Sequence, residues 1–303
     1  MRFEDQEGSD HVEDRRDDPA PFAGGGGGGL GMLPWLLMGR GGIGVTGLLV
    51  LLAVAWFAGI DPIALLNGNV RTTRPPAAHS TPHAPTDDAR KQFVSKVLRS
   101  TERCWSELLP QHFGREYPAP TLVLFRRGVN SACGYAGSSV GPFYCPGDSK
   151  LYLDLGFFDE LDRSLGAGGD FAQAYVIAHE VGHHVQNLLG TSRKVDGMRR
   201  LGSASDLRHA SVRLELQADY FAGVWAHHVM ARQRGKVELD IGDYEEAITA
   251  AQAIGDDTLQ RRANGHVVPE NFTHGTSAQR VKWFKLGYES GDPKAHDPFV
   301  EEK

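Results

Sequence analysis

The strongest constraint on this chain's fold is the run from Ala174 to Gln186, Ala-Tyr-Val-Ile-Ala-His-Glu-Val-Gly-His-His-Val-Gln. It places two imidazoles and a carboxylate in an otherwise apolar segment, and burying polar groups without partners is costly. Phe171, Tyr175, Val176, Ile177 and Ala178 mark a buried helix, expected over residues 171–189. On a helix, residues four apart share one face, so His179 and His183 can converge on a single ion. Glu180 then stands beside the ion's open position without binding it. The plain alternative, a partly buried helix with incidental histidines, leaves this cluster without a charge partner.

Two histidines do not complete a catalytic zinc site, which needs a third protein ligand and a position for water. The segment Ser211-Val-Arg-Leu-Glu-Leu-Gln-Ala-Asp-Tyr-Phe-Ala-Gly223 offers Glu215 and Asp219, again four apart on an apolar helix. A metal ion would compensate Glu215, and Asp219 would accept the free ring N–H of a ligand histidine and fix its orientation. The competing reading is a surface acidic pair, with Arg208 or Arg213 as partner. His184 is rotated by about 100° from His183, and His227 and His228 lie two turns or more beyond Asp219; these three are read as non-ligands.

Around this pair of helices the chain divides by composition. Residues 1–42 are acidic and then glycine-rich, and are expected to be disordered. Residues 43–60, from Ile43 to Ile60, run without a charge, and at about 1.5 Å per residue they just match a hydrocarbon core of about 30 Å. They are read as a single transmembrane helix, in preference to a buried core helix or a cleaved leader. Flanking Arg residues are nearly balanced, so orientation rests on the simpler topology, with the large domain on the exported side. Residues 61–86, rich in Pro, Thr and His, read as a linker. Residues 87–303 read as one α+β domain, mainly helical with a small sheet. Strands are expected at 121–125 and 151–155, and helices at 171–189, about 207–233, about 243–264 and 276–287.

The net charge is −6, and the scattered Lys and Arg form no basic aromatic patch, so no nucleic-acid partner is expected. Of the three cysteines, Cys133 and Cys145 bracket a stretch able to turn back on itself; a disulfide between them and a set of buried thiols both fit the sequence.

His179-Glu-x-x-His183 followed by Glu215-x-x-Ala-Asp219 resembles the gluzincin metallopeptidases, in particular the HtpX and CAAX-prenyl-protease type. A closer resemblance, over nearly the whole chain, is to the bacterial neutral zinc metallopeptidases. It is carried by Val12-Glu-Asp-Arg-Arg16, Gly-Ile-Asp-Pro62, Gly141-Pro-Phe-Tyr-Cys-Pro146 and Tyr152-Leu-Asp-Leu. It continues in His179-Glu-Val-Gly-His-His-Val-Gln186, Leu214-Glu-Leu-Gln-Ala-Asp219, Ile254-Gly-Asp-Asp257 and Phe272-Thr-His-Gly-Thr-Ser-x-Gln-Arg280. The resemblance implies a zincin-like fold and a membrane location, but no particular substrate. Likeness of Thr273 to Arg280 with the HtpX type further implies that His274 donates to an oxyanion and that Arg280 anchors its segment. Gly275 stands where that type has Pro, and a loop histidine capping the next helix fits equally.

The expectation is thus a membrane-anchored peptidase using Zn2+ held by His179, His183 and Glu215. Glu180 and His274 are its catalytic residues, Asp219 and Arg280 support the site, and the substrate is a protein or peptide. The alternative is a zinc-binding scaffold without catalysis. Oligomeric state is not legible in the sequence.

Overall fold

A computed structural model describes residues 2–3, 6–19, 85–164, 166–198, 202–232, 237–238 and 242–302. Helices predominate, accompanied by small sheets. A four-stranded sheet has the order β2–β3–β7–β6, formed by β2 (Val12–Asp14), β3 (Thr121–Phe125), β6 (Phe143–Cys145) and β7 (Lys150–Asp154). β3 runs parallel to β2 and β7, while β6 lies antiparallel at the edge. Its Leu122, Val123, Leu124 and Phe125 are all buried, as expected of an apolar run covered on both faces. Leu122 and Leu124 enter the main core; Val123 and Phe125 join Cys145 and Tyr152 in a smaller one. A hairpin of β4 (Gly128–Ser131) and β5 (Gly134–Gly137) adjoins that smaller core. Cys133, in the hairpin turn, is disulfide-bonded to Cys145 of β6, the Cα atoms 5.8 Å apart. A separate two-stranded pair joins β1 (Arg2–Phe3) to β8 (Val237–Glu238).

The helices supply the rest of the core. In α1 (Pro85–Phe113), Val94, Val97, Leu98, Trp105, Leu108 and Leu109 form a fully buried stripe at helical spacing. After the short α2 (Phe157–Arg163), α3 (Asp170–Leu189) passes through the core and ends at Gly190 in the left-handed conformation, φ 82°. Next come α4 (Thr191–Met198) and the long α5 (Ala204–Arg232). The helix expected over 243–264 is two, α6 (Asp243–Ala253) and α7 (Asp256–Asn264). They break at Gly255, where a Cβ would lie 2.4 Å from the Ser277 backbone nitrogen. α8 (Ser277–Ser290) starts with a capping box between Thr276 and Gln279, and a single turn, α9 (Pro298–Glu301), follows.

Two expectations change. First, the acidic start is not free chain where it is described: the Leu122 N–H donates to the His11 carbonyl at 2.8 Å, and the Arg15 N–H to the Leu124 carbonyl at 2.8 Å. Arg16 is buried and pairs with Asp14 at 2.7 Å and Asp88 at 3.1 Å. Composition missed this because the strand is short and its acidic side chains are matched by Arg16, Lys91 and Lys150.

Second, the single membrane span is not supported. No helix among the described residues is long and apolar enough to cross a membrane, and residues 43–60 lie outside the described residues. The two 29-residue helices, α1 and α5, have the length but carry charges throughout. The described residues 6–19 and those from 85 onward belong to one compact unit, with β2 paired in its sheet. The single-pass location, and the exported placement that rested on it, therefore fall.

Candidate metal centre and active site

The site forms where α3 crosses α5. A Cβ on Gly182 would lie 2.9 Å from the Ala218 carbonyl oxygen and 3.0 Å from its Cα. Only glycine lets the two backbones approach so closely, and the contact sets the His179–His183 face of α3 against the Glu215–Asp219 face of α5. His179 Nε2 lies 3.2 Å from Glu215 Oε2, and His183 Nε2 lies 3.6 Å from Glu215 Oε1. One ligand atom from each of the three residues falls within 4.8 Å of the others.

Behind this cluster is a buried charge network. Asp219 is fully buried and is held by Arg280, whose Nε donates to Oδ2 at 2.8 Å and whose Nη2 donates to Oδ1 at 2.9 Å. The Tyr175 hydroxyl donates to Oδ1 at 2.5 Å, and His179 Nδ1 lies 2.8 Å from the same oxygen. Burial pushes the Asp219 carboxyl up, but Arg280 and His179 outweigh it and hold Asp219 below its ordinary range. The same contest sets the ligands. Burial disfavours a charged His179, yet Asp219 raises the ring to about 9. Burial also raises the Glu215 carboxyl, but His183 and His179 hold it well below the usual carboxylate range. Glu180 goes the other way: burial raises it, only partly offset by the two histidines. Its carboxylate makes no side-chain hydrogen bond among the described residues.

His274 is not brought into the ligand cluster. It sits in the segment leading to α8, organised by Asp256, whose Oδ2 accepts the backbone N–H groups of Thr273, His274 and Gly275 at 2.7, 2.6 and 3.1 Å. Asp256 Oδ1 lies 3.2 Å from His274 Nδ1. That hydrogen bond is the main reason the His274 ring is raised from its ordinary pKa, with Glu215 adding to it. Gly275 has φ 84°, which proline cannot adopt, so the departure from the HtpX-type pattern reflects a different backbone. Arg280 does more than anchor this segment: it is the cation that compensates Asp219, a part that neither Arg208 nor Arg213 plays.

The other histidines lie outside the cluster. His184 is buried between the Pro118 carbonyl and the Tyr144 hydroxyl, and burial lowers its pKa to about 4. His227 and His228 lie 2.7 and 2.8 Å from the carbonyls of Tyr288 and Gly291.

Three residues were missed in the sequence. Tyr175 precedes His179 by four positions and Gln186 follows His183 by three, so helical spacing places both on the ligand face. Gln186 lies within 2.9 Å of His183 Nδ1 and 2.6 Å of the Leu214 carbonyl. Asp256 carried no such signal, since its partners lie 17 to 19 residues away, beyond α7 and the segment that follows it.

This helix pair and donor set define a candidate metal centre, and comparison gives the chain a metallopeptidase family. The chain belongs to the family described as "Putative neutral zinc metallopeptidase", whose model matches residues 1–299. It is similar to the "Uncharacterized protein YpfJ" of Escherichia coli strain K12, 44% identical over 300 residues, spanning 99% of each chain. It is also similar to the "Uncharacterized protein Rv2575" of Mycobacterium tuberculosis strain H37Rv, 40% identical over 258 residues, covering 81% of this chain and 85% of the relative. No solved structure matches. The family implies zinc, and the donor set fits that ion: two imidazoles and one carboxylate, with the outer nitrogen of each ring engaged by a neighbouring side chain.

Proposed function

We propose that the chain is a zinc-dependent peptidase that hydrolyses peptide bonds in protein or peptide substrates. The observation that carries this reading is the convergence of His179, His183 and Glu215 within 4.8 Å beside a carboxylate, Glu180, that the fold leaves unengaged. His179 and His183, through Nε2, and Glu215 would hold the ion. Zinc, when bound, polarises a carbonyl and lowers the pKa of water toward about 7.

Glu180 takes the proton from the attacking water and passes it to the departing amine. Its upward shift by burial brings its basicity nearer the working pH, as a general base requires. Asp219 holds the His179 ring, and Arg280 keeps Asp219 ionised. His274, with Nδ1 turned to Asp256, has Nε2 available to donate to the oxyanion; one such donor contributes about 3 kcal/mol to the transition state.

The reading of a zinc-holding scaffold without catalysis gives Glu180 no task. Glu180→Gln separates the two readings: zinc stoichiometry should stay at the parent value while digestion of an unfolded protein falls by about 10²- to 10⁴-fold. A variant that digests as fast as the parent refutes the assignment of Glu180.

A further inference from the structure

We infer that Gln186 is a positioning residue. It fixes which nitrogen of His183 faces the ion, and it ties that ring to the turn of α5 that carries Glu215. Gln186 is fully buried on α3, and its amide lies between two groups of different hydrogen-bonding character. The Leu214 carbonyl oxygen can only accept, so the Gln186 amide nitrogen must face it, at 2.6 Å. The reverse orientation would press two acceptors together in a buried site. The amide oxygen is thereby turned to His183 Nδ1, at 2.9 Å. That oxygen also only accepts, so a ring that gives its Nε2 lone pair to a metal keeps its proton on Nδ1, where Gln186 holds it. Nε2 is the atom 3.6 Å from Glu215 Oε1.

A backbone carbonyl on one helix thus dictates an amide orientation, the amide dictates a tautomer, and the tautomer dictates the ligand atom. Leu214 immediately precedes Glu215, so one side chain registers a ligand of α3 against a ligand of α5. The other histidine is served differently: His179 Nδ1 meets the carboxylate of Asp219. The site therefore holds one ring by an ion-paired carboxylate and the other by a neutral amide, a difference that helical spacing does not reveal.

The inference rests on the zinc reading. Competition with a chromogenic chelator on the full chain should show Gln186→Leu binding zinc about 10- to 100-fold more weakly, with the far-ultraviolet spectrum of the parent kept. Nitrogen-15 NMR of the zinc-loaded parent should show the His183 proton on Nδ1. In zinc-loaded Gln186→Leu that proton should exchange faster with water. Zinc binding by the variant within twofold of the parent, or a His183 proton on Nε2 in the parent, overturns the inference. Failure of the parent to bind zinc would instead overturn the metal reading, and this inference with it.

Discussion

Gly182→Ala tests the geometry on which the site depends. The added Cβ would meet the Ala218 carbonyl oxygen at 2.9 Å, whereas ordinary van der Waals contact begins near 3.4 Å, so the helices must part by about 0.5 Å. The obstructing atoms are backbone and cannot turn aside. Inserting a methyl into a packed contact costs about 1–3 kcal/mol, and alanine's better helix propensity returns about 0.5–1 kcal/mol. The net loss is at most about 2.5 kcal/mol, which lowers Tm by up to about 10 °C in a domain of this size. The functional effect should be larger, because metal–ligand distances tolerate only about 0.2 Å and the displacement separates the histidines from Glu215. Zinc affinity should fall at least tenfold. Gly197→Ala in α4, where nothing lies within 4 Å of the new Cβ, is the control and should leave both readouts at or above the parent. Thermal unfolding and chelator competition measure the two effects. If Gly182→Ala matched the control in Tm and in zinc affinity, the close crossing would not be what sets the ligands.

Arg280→Met should be the most destabilising single change near the site. It strands Asp219 without its cation at a fully buried position, which costs about 3–5 kcal/mol and is measurable by urea unfolding. A loss below 1 kcal/mol would mean that Asp219 is compensated elsewhere. Acid should also weaken the fold through His184. Its folded pKa of about 4 lies below the ordinary 6.5, so its contribution is complete above pH 6.5 and is lost as pH falls toward 4. The gap of about 2.5 units corresponds to roughly 3 kcal/mol. His184→Gln should flatten the dependence of stability on pH across that window; an unchanged slope would exclude His184 as its source.

What the sequence disclosed followed from local periodicity. The spacing of His179, His183, Glu215 and Asp219 is a helical property, so it could be read before any coordinates, as could the apolar run of β3. Tyr175 and Gln186 obey the same spacing but were hidden by residue type: a tyrosine among apolar residues reads as core, and a glutamine as surface. Asp256 and the pairing of Arg280 with Asp219 depend on how distant segments meet, which no local pattern encodes. The same limit concealed β2, three residues whose reason to be extended lies more than a hundred positions later. The uncharged run 43–60, read as a single transmembrane helix from its length and lack of charge, lies outside the described residues, among which no helix is long and apolar enough to cross a membrane.

The placement of β2 has a practical corollary for anyone trimming this protein. A polypeptide begun at Asp87, the obvious cut on composition, would omit a strand that caps the open edge of β3 and would leave Arg16's partner Asp88 without its guanidinium. An uncapped parallel edge of Leu122, Val123 and Leu124 invites pairing with a neighbouring molecule. Residues 6–19 are therefore masonry rather than packaging, and a shortened version that clumps would be reporting a missing stone, not an intrinsically sticky fold.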